Sequence, residues 1–270
     1  MENLYRPIEA KVEAIIDESP NIKSFILKPE KEFQFKTGQF IELTLPGYGE
    51  APFTPSSSPF ISDKMEVTIM KAGYLTDKFH KLNSGVTVGI RGPYGQGYPV
   101  NEFEGKEVLI LGGGVGLAPL RSLLLTLIAE KEKYKRIILC YGAKTPSDII
   151  YKNQFKEWEQ AGVEIHRSVD KADENWNETV GVVTVLLDKI QIDTKNAVVA
   201  VCGPPVMMKF ATLKLLEKGF KEENIYLSME RNMSCGIGKC GHCVMDSFFV
   251  CKDGPVFKYS IIKHIPEVFV

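Results

Sequence analysis

Four of the six cysteines in this chain crowd into 17 residues: Cys235, Cys240, Cys243 and Cys251, spaced C-x4-C-x2-C-x7-C. No other feature of the 270 residues narrows the possible folds as far. In a reducing compartment such a group points to metal binding or catalysis before disulfides. The first three cysteines match plant-type [2Fe-2S] spacing, with the fourth ligand downstream. A loop that wraps a cluster must aim several backbone N–H groups at its sulfurs. Gly236, Gly238 and Gly241 allow the tight, positive-φ turns that this requires. The competing reading is a zinc ribbon, which pairs two C-x2-C knuckles; this chain has one such knuckle. His242 lies between the cysteines and reads as a solvated neighbour, not a ligand. Cys140 follows an apolar run and reads as a small buried hydrophobe.

The chain changes rhythm near Lys106. Before it, short apolar stretches recur between Pro, Gly and Asn breaks: Val12–Ile16, Ser24–Leu27, Phe40–Leu45, Met65–Met70 and Val86–Ile90. This spacing predicts an all-β sandwich or barrel, interrupted by one helix over Leu75–Lys81. After it, strands alternate with helices. Val108–Leu111 is a continuous apolar run, as a strand buried on both faces should be. Helices are predicted at Ala118–Glu130, Phe155–Ala161, Val182–Ile190 and Pro205–Lys218. Strands are predicted at Ile137–Tyr141, Val163–Ile165, Val198–Val201 and Ile225–Leu227. The alternation predicts a parallel sheet covered on both faces. Three units follow: 1–102, 103–228 and a short Cys- and Gly-rich unit at 229–270.

Two turns in the α/β unit carry ligand-binding chemistry. Gly112-Gly-Gly-Val-Gly116-Leu-Ala-Pro119 joins a strand to a helix and lets a dinucleotide phosphate approach the backbone at a helix N-terminus. Its pattern is G-x-G-x-x-P, not the dinucleotide fingerprint G-x-G-x-x-G, so a glycine turn needed for packing is the bland alternative. Val201-Cys202-Gly-Pro-Pro205-Val-Met-Met208 also ends a strand and opens a helix, on the edge where open α/β sheets bind ligands. The two turns could face one crevice, or Met207 and Met208 could be ordinary core residues. Glu50–Pro59, Gly73–Thr76 and Arg91–Gly95 read as loops by composition.

Charge excludes several function classes. Lys and Arg number 33 against 34 Asp and Glu, so a large basic surface for nucleic acid is not expected. No apolar run approaches the ~18 residues of a membrane helix. The start, Met1-Glu-Asn-Leu-Tyr-Arg-Pro, lacks the apolar core of a secretory signal, so a cytoplasmic location is expected.

In this order, the stretches GGGVGLAPLRS, YGAKTPSDIIYK, CGPPVMM and CGIGKCGHC…VCKDGPVF resemble the ferredoxin–NADP reductase superfamily. They look most like the iron–sulfur flavoprotein components of cytosolic sulfhydrogenases (the gamma type) and of anaerobic sulfite reductases. The resemblance spans nearly the whole chain. It implies a flavin-binding β-barrel, a nucleotide-binding α/β domain and a C-terminal [2Fe-2S] lobe, held by Cys235, Cys240, Cys243 and Cys251.

The family holds its flavin with an Arg-x-Tyr-Ser motif. The matching residues here are Ala51, Pro52, Phe53 and Thr54. The resemblance makes Phe53 the stacking surface and Thr54 the hydroxyl, while Ala51 stands where the pyrophosphate-binding Arg is expected. Thr68, Ile69 and Met70 would wall the flavin, and Gly73, Leu75 and Thr76 at the helix start would take up phosphate charge. FAD is the family expectation, with FMN the alternative. Gly113, Gly114, Gly116, Leu117, Ala118 and Pro119 would hold NAD(P)H together with Cys202, Gly203, Pro204, Pro205, Met207 and Met208. Cys202 would be positional, not a covalent nucleophile. NAD and NADP both stay open: Lys144 could meet a 2′-phosphate or be a solvated lysine.

No residue pattern suggests a terminal catalytic site. The implied role is a diaphorase-type electron-transfer subunit: hydride from NAD(P)H to FAD, then single electrons through the cluster to a catalytic partner of hydrogenase or sulfite reductase type. The electron-transfer subunit of dihydroorotate dehydrogenase is the near alternative. A zinc-ribbon module that binds a nucleotide without redox chemistry is the distant one.

Overall fold

In a computed structural model of the chain, residues 5–266, 268 and 269 are described. The first four residues of the stretch read for a secretory signal lie outside them. Six antiparallel strands form the N-terminal unit: β1 (Ile8–Ser19), β2 (Ile22–Pro29), β3 (Phe40–Leu45), β4 (Gly49–Phe53), β5 (Met65–Met70) and β6 (Thr87–Tyr94), with helix α1 (Tyr74–His80) after β5. Their order is β4-β3-β6-β1-β2-β5. Just past β4, Pro55 bridges Val67 of β5, and Ser56 N–H donates to Glu66 O at 2.7 Å. That contact joins the two outer strands, which makes the sheet a barrel and not a sandwich. Phe25, Leu27, Ile41, Leu43, Val67, Ile69 and Ile90 fill it.

Two stretches read as loops are strands. Ala51, Pro52 and Phe53 lie in β4, paired with Leu43, Glu42 and Ile41. Arg91–Tyr94 lies in β6. Proline misled the reading in both. Pro52 sits on an outer strand, and Pro93 sits where the β3–β6 register slips between Phe40 and Glu42. Both are places where a missing N–H costs no ladder bond.

The second unit is a sheet of strands β7 (Glu107–Gly113), β8 (Arg136–Ala143), β9 (Val163–Val169), β10 (Thr179–Val180), β11 (Ala197–Cys202) and β12 (Ile225–Ser228). All are parallel. Alternate residues face opposite layers. Val108, Ile110, Leu139 and Tyr141 pack under α2 (Leu117–Ala129) and α3 (Phe155–Gln160). Leu109, Leu111, Ile138 and Cys140 pack under α4 (Pro205–Glu217). The helix predicted over Val182–Ile190 is instead a 3-10 turn, Val183–Asp188. Its β-branched run Val182-Val-Thr-Val resists an α-helix.

The C-terminal segment carries a hairpin of β13 (Val244–Met245) and β14 (Phe248–Phe249), the single turn α5 (Val250–Asp253), strand β15 (Val256–Lys258) and α6 (Tyr259–Ile262). β15 joins the nucleotide sheet antiparallel to β12. On its other side Gln96, after β6, donates its N–H to Gly254 O at 2.5 Å. The cysteine-rich segment is thus tied by main-chain bonds to both larger units.

Candidate cofactor sites

The cysteine loop is shaped by its main chain. Gly236, Gly238 and Gly241 have φ of 74°, 71° and 82°, the left-handed region that glycine enters without penalty. The resulting turns point N–H groups at sulfur. Ile237, Lys239 and Cys240 donate to Cys235 Sγ at 3.4, 3.3 and 3.4 Å, and Gly238 donates to Cys251 Sγ at 3.1 Å. Burial opposes ionisation of Cys235, but these donors overcome it and bring its thiol down to about 6. Desolvation and the neighbouring Cys243 thiol push Cys251 up to about 12.

The N–H donors converge on Cys235 Sγ and Cys251 Sγ, from opposite ends of the cysteine-rich segment. Four thiols within 17 residues, with main-chain N–H donors already aimed at two of the sulfurs, fit an iron–sulfur cluster. Cys235, Cys243 and Cys251 are buried and Cys240 is exposed. His242 is exposed, with its Nδ1 bonded to Ser234 Oγ at 2.8 Å.

On the sheet's C-terminal edge the two ligand turns lie side by side, because β7 and β11 are neighbours with Gly112 opposite Cys202. They touch through glycine. A Cβ on Gly116 would lie 2.5 Å from Cys202 O and 2.7 Å from Gly203 Cα. Gly113 and Gly203 abut the Met207 side chain in the same way. Beside them opens a cleft of about 960 Å³, lined by Gly113, Gly114, Pro204, Met207, Lys144 and Asp170 among others. The two methionines divide: Met207 lines the cleft, while Met208 is buried in the core under α4. Leu117 and Ala118 are also buried, and Pro119 and Pro205 are half-buried in the first turns of their helices. Desolvation pushes the Cys202 thiol up to about 12, so it is neutral at ordinary pH and no ready nucleophile. A nucleotide fits here: glycine permits backbone approach to phosphate, and the apolar walls suit planar rings.

On the barrel, Pro52, Phe53 and Thr54 are half-buried at the end of β4. The Phe53 ring meets Phe79 of α1 edge-on at 6.2 Å. Leu75 packs against the barrel core, and Met70 is exposed. Thr76 Oγ1 accepts the N–H of Ala72 and of Gly73, both at 2.9 Å, so it closes the loop before α1. Thr68 and Ile69 are both buried, on opposite faces of β5. The Thr68 hydroxyl bonds Ser24, Ser56 and Tyr151, and Ile69 is in the core. Sequence reasoning missed a second aromatic group here. Lys78 Nζ stands over the rings of Tyr48 and Tyr74, at 5.4 and 5.1 Å, and both rings are exposed. Open rings for stacking and a cation for phosphate suit a flavin dinucleotide. The signal lay in Tyr48 and in Tyr74 with Lys78 one helical turn on, but nothing local joined Tyr48 to that helix.

Comparison with known proteins covers all three units. Residues 9–98 match the oxidoreductase FAD-binding domain, 110–212 the oxidoreductase NAD-binding domain, and 230–263 the iron–sulfur cluster binding domain of dihydroorotate dehydrogenase B. The chain is 37% identical to the sulfhydrogenase 2 subunit gamma of Pyrococcus furiosus, over 95% of this chain and 96% of that one. It is 35% identical to a probable dihydroorotate dehydrogenase B (NAD(+)) electron transfer subunit of Methanocaldococcus jannaschii, over 97% and 93%. A solved structure of an NADH-dependent reduced ferredoxin-NADP oxidoreductase superposes with a TM-score of 0.76 at 26% identity, covering 94% of this chain and 91% of its own.

Proposed function

This chain belongs to the ferredoxin–NADP reductase family of FAD- and NAD-binding oxidoreductases, in the branch that ends in an iron–sulfur domain, and from that premise we propose that it is the gamma-type electron-transfer subunit of a sulfhydrogenase. When bound, NAD(P)H supplies hydride, FAD accepts it, and a [2Fe-2S] cluster carries the electrons singly to a catalytic partner. The observation that carries the reading is the placement of the cysteine loop. It is tied to the barrel at Gln96–Gly254 and to the nucleotide sheet at β12–β15, and it leaves Cys240 at the surface. A loop so placed serves both cofactor domains and still offers an edge to a partner.

The chain's residues divide the work. Gly113 and Gly114 would admit the nucleotide phosphates, with Pro204 and Met207 on the facing wall of the cleft, while Gly116 packs the first turn against the main chain of Cys202 and Gly203. Phe53 and Thr54 receive the flavin ring. Lys78, between Tyr48 and Tyr74, supplies the cation that Ala51 does not. The spacing of Cys235, Cys240 and Cys243, with Cys251 downstream, and the N–H donors at Cys235 Sγ and Cys251 Sγ support a two-iron cluster.

Anaerobically prepared protein tests this directly. Expected are bound flavin, iron and acid-labile sulfide equal to each other and about twice the flavin, bleaching by NADH or NADPH, and an EPR signal that Cys240→Ser removes and Cys140→Ser keeps. Zinc without sulfide would sink the cluster assignment. The match of 230–263 to the dihydroorotate dehydrogenase B domain supports a second reading, the electron-transfer subunit of that enzyme. Mass spectrometry of co-purifying subunits separates the two: a nickel-containing hydrogenase subunit supports the first, a dihydroorotate-oxidising flavoprotein the second.

A further inference from the structure

Arg91 is a buried cation that joins two distant parts of the chain to its own strand. It lies in β6 with 4% of its surface exposed. Its Nε and Nη2 donate to the two carboxylate oxygens of Glu50, in β4, at 3.1 and 2.5 Å. Its Nη1 donates to Tyr94 Oη and to the carbonyl oxygen of Cys235, both at 3.2 Å. Its Nη2 also reaches the carbonyl oxygen of Ser234 at 3.4 Å. Directly opposite in the β3–β6 register stands Glu42, fully buried, with neither carboxylate oxygen hydrogen-bonded. One guanidinium therefore sits between two carboxylates and the first cysteine of the cluster loop.

We propose that Arg91 is the positioning residue of the iron–sulfur site: it clamps the Ser234–Cys235 main chain to the strand that carries Phe53, and it places a positive charge beside the first ligand that sets how readily the cluster accepts an electron. This rests on the reading of the cysteine loop as a cluster site. Packing alone gives no reason for such a residue. A buried ion pair costs desolvation that apolar side chains of similar volume avoid. A planar fork that meets a carboxylate on one side and two carbonyls on the other uses what arginine has and lysine lacks. The carbonyls of Ser234 and Cys235 have no ladder partner, so the clamp fixes the loop where its own secondary structure does not. A nearby cation favours the more negative, reduced state of the loop's cargo, and Glu50 and Glu42 oppose it. The tuned step would move one electron at a time onto the site, and two such transfers would account for the two electrons that the flavin takes up as hydride from a reduced nicotinamide nucleotide. No bond to Arg91 forms or breaks.

The test uses the full chain, prepared anaerobically, with iron, sulfide and flavin quantified before an EPR-monitored redox titration. Arg91→Gln should lower the cluster's midpoint potential, and Glu50→Gln should raise it. Each shift should change electron partition about tenfold, which is about 59 mV for one electron. Arg91→Lys keeps the charge and loses the fork, so it should hold the potential near wild type while cluster retention falls. Opposite shifts are the decisive result, because a purely structural role would change cluster content and leave the potential of the retained fraction alone. Equal potentials in all variants would overturn the proposal. If Arg91→Gln does not fold, the upward shift of Glu50→Gln decides alone. Wild-type protein without iron and sulfide would show instead that the cluster reading itself had failed.

Discussion

The phenol of Tyr151 and the hydroxyl of Thr68 lie 2.6 Å apart, across the boundary between the nucleotide sheet and the barrel. Tyr151 is buried, and its backbone N–H is capped by Glu18 of β1 at 2.8 Å. Over its ring, at 4.6 Å, lies the guanidinium of Arg121 from α2. Arg121 reaches the Ser56 carbonyl at 3.0 Å and the Glu66 carboxylate at 2.9 Å. These contacts join the barrel to the nucleotide-sheet unit.

Removing one partner of that interface should cost more than removing both. Arg121→Met leaves the half-buried Glu66 carboxylate without its cation, at a cost below the ~3–5 kcal/mol of breaking a fully buried pair. Tyr151→Phe loses one neutral hydrogen bond, about 1 kcal/mol. Pairing Arg121→Met with Glu66→Met should recover part of the loss. Thermal melting of the single and double variants checks this, and strict additivity would contradict it.

Glu42 gives the fold a pH dependence. Burial first, then the neighbouring Glu50 carboxylate, raise it from 4.5 to about 7, and Arg91 only partly offsets them. The folded chain therefore holds this proton more tightly than the unfolded chain does. The associated stability is complete below about pH 4.5 and is lost as pH rises through about 7. Glu42→Gln should remove the slope, worth about 3 kcal/mol between those limits. Asp77, held down to about 2 by hydrogen bonds from Lys81 and Lys71, titrates below this window. Melting temperatures at pH 5 and pH 8 supply the check. A wild type that loses no more stability than Glu42→Gln over this range would refute it.

Lys78→Ala should weaken flavin dinucleotide binding. The lysine faces two exposed rings on the side of the barrel where Ala51 offers no charge. A charge-assisted contact to phosphate contributes about 1.5–3 kcal/mol, so the dissociation constant for FAD should rise at least tenfold. Fluorescence titration of flavin-stripped protein measures it. Unchanged FAD affinity would move the phosphate cation elsewhere on the barrel.

What could be read from the sequence follows from how local each signal is. The candidate cluster cysteines lie within 17 residues, three in one loop and Cys251 in α5 just after the hairpin, so their spacing alone suggested a site. Val108–Leu111 and Ile137–Tyr141 announced themselves because strands buried on both faces are unbroken apolar runs. β4 stayed hidden because Pro52 imitates a loop, and its strand character comes from pairing with β3. The clamp on the cluster loop was invisible for a plainer reason: Arg91 and Cys235 are 144 residues apart, and neither neighbourhood hints at the other. Lys78 joins Tyr48 and Tyr74 only once the barrel has closed.

Gly116 makes the sharpest claim about the nucleotide turns. Its φ of −61° is ordinary for any residue, so glycine is not required there by backbone conformation. What excludes a side chain is the neighbouring turn, whose Cys202 carbonyl oxygen and Gly203 Cα would stand 2.5 and 2.7 Å from a new Cβ. Both obstacles are main chain, and neither can rotate away. Gly116→Ala must therefore pry β7 and β11 apart at the edge where the nucleotide is expected to bind, a strain of about 1–3 kcal/mol. The expected result is a lower melting temperature and a KM for NADH raised about tenfold or more, with iron and sulfide content unchanged because the cysteine loop is not part of this contact. Normal melting together with normal KM would mean that the two turns separate freely, and the packing described for them would be wrong.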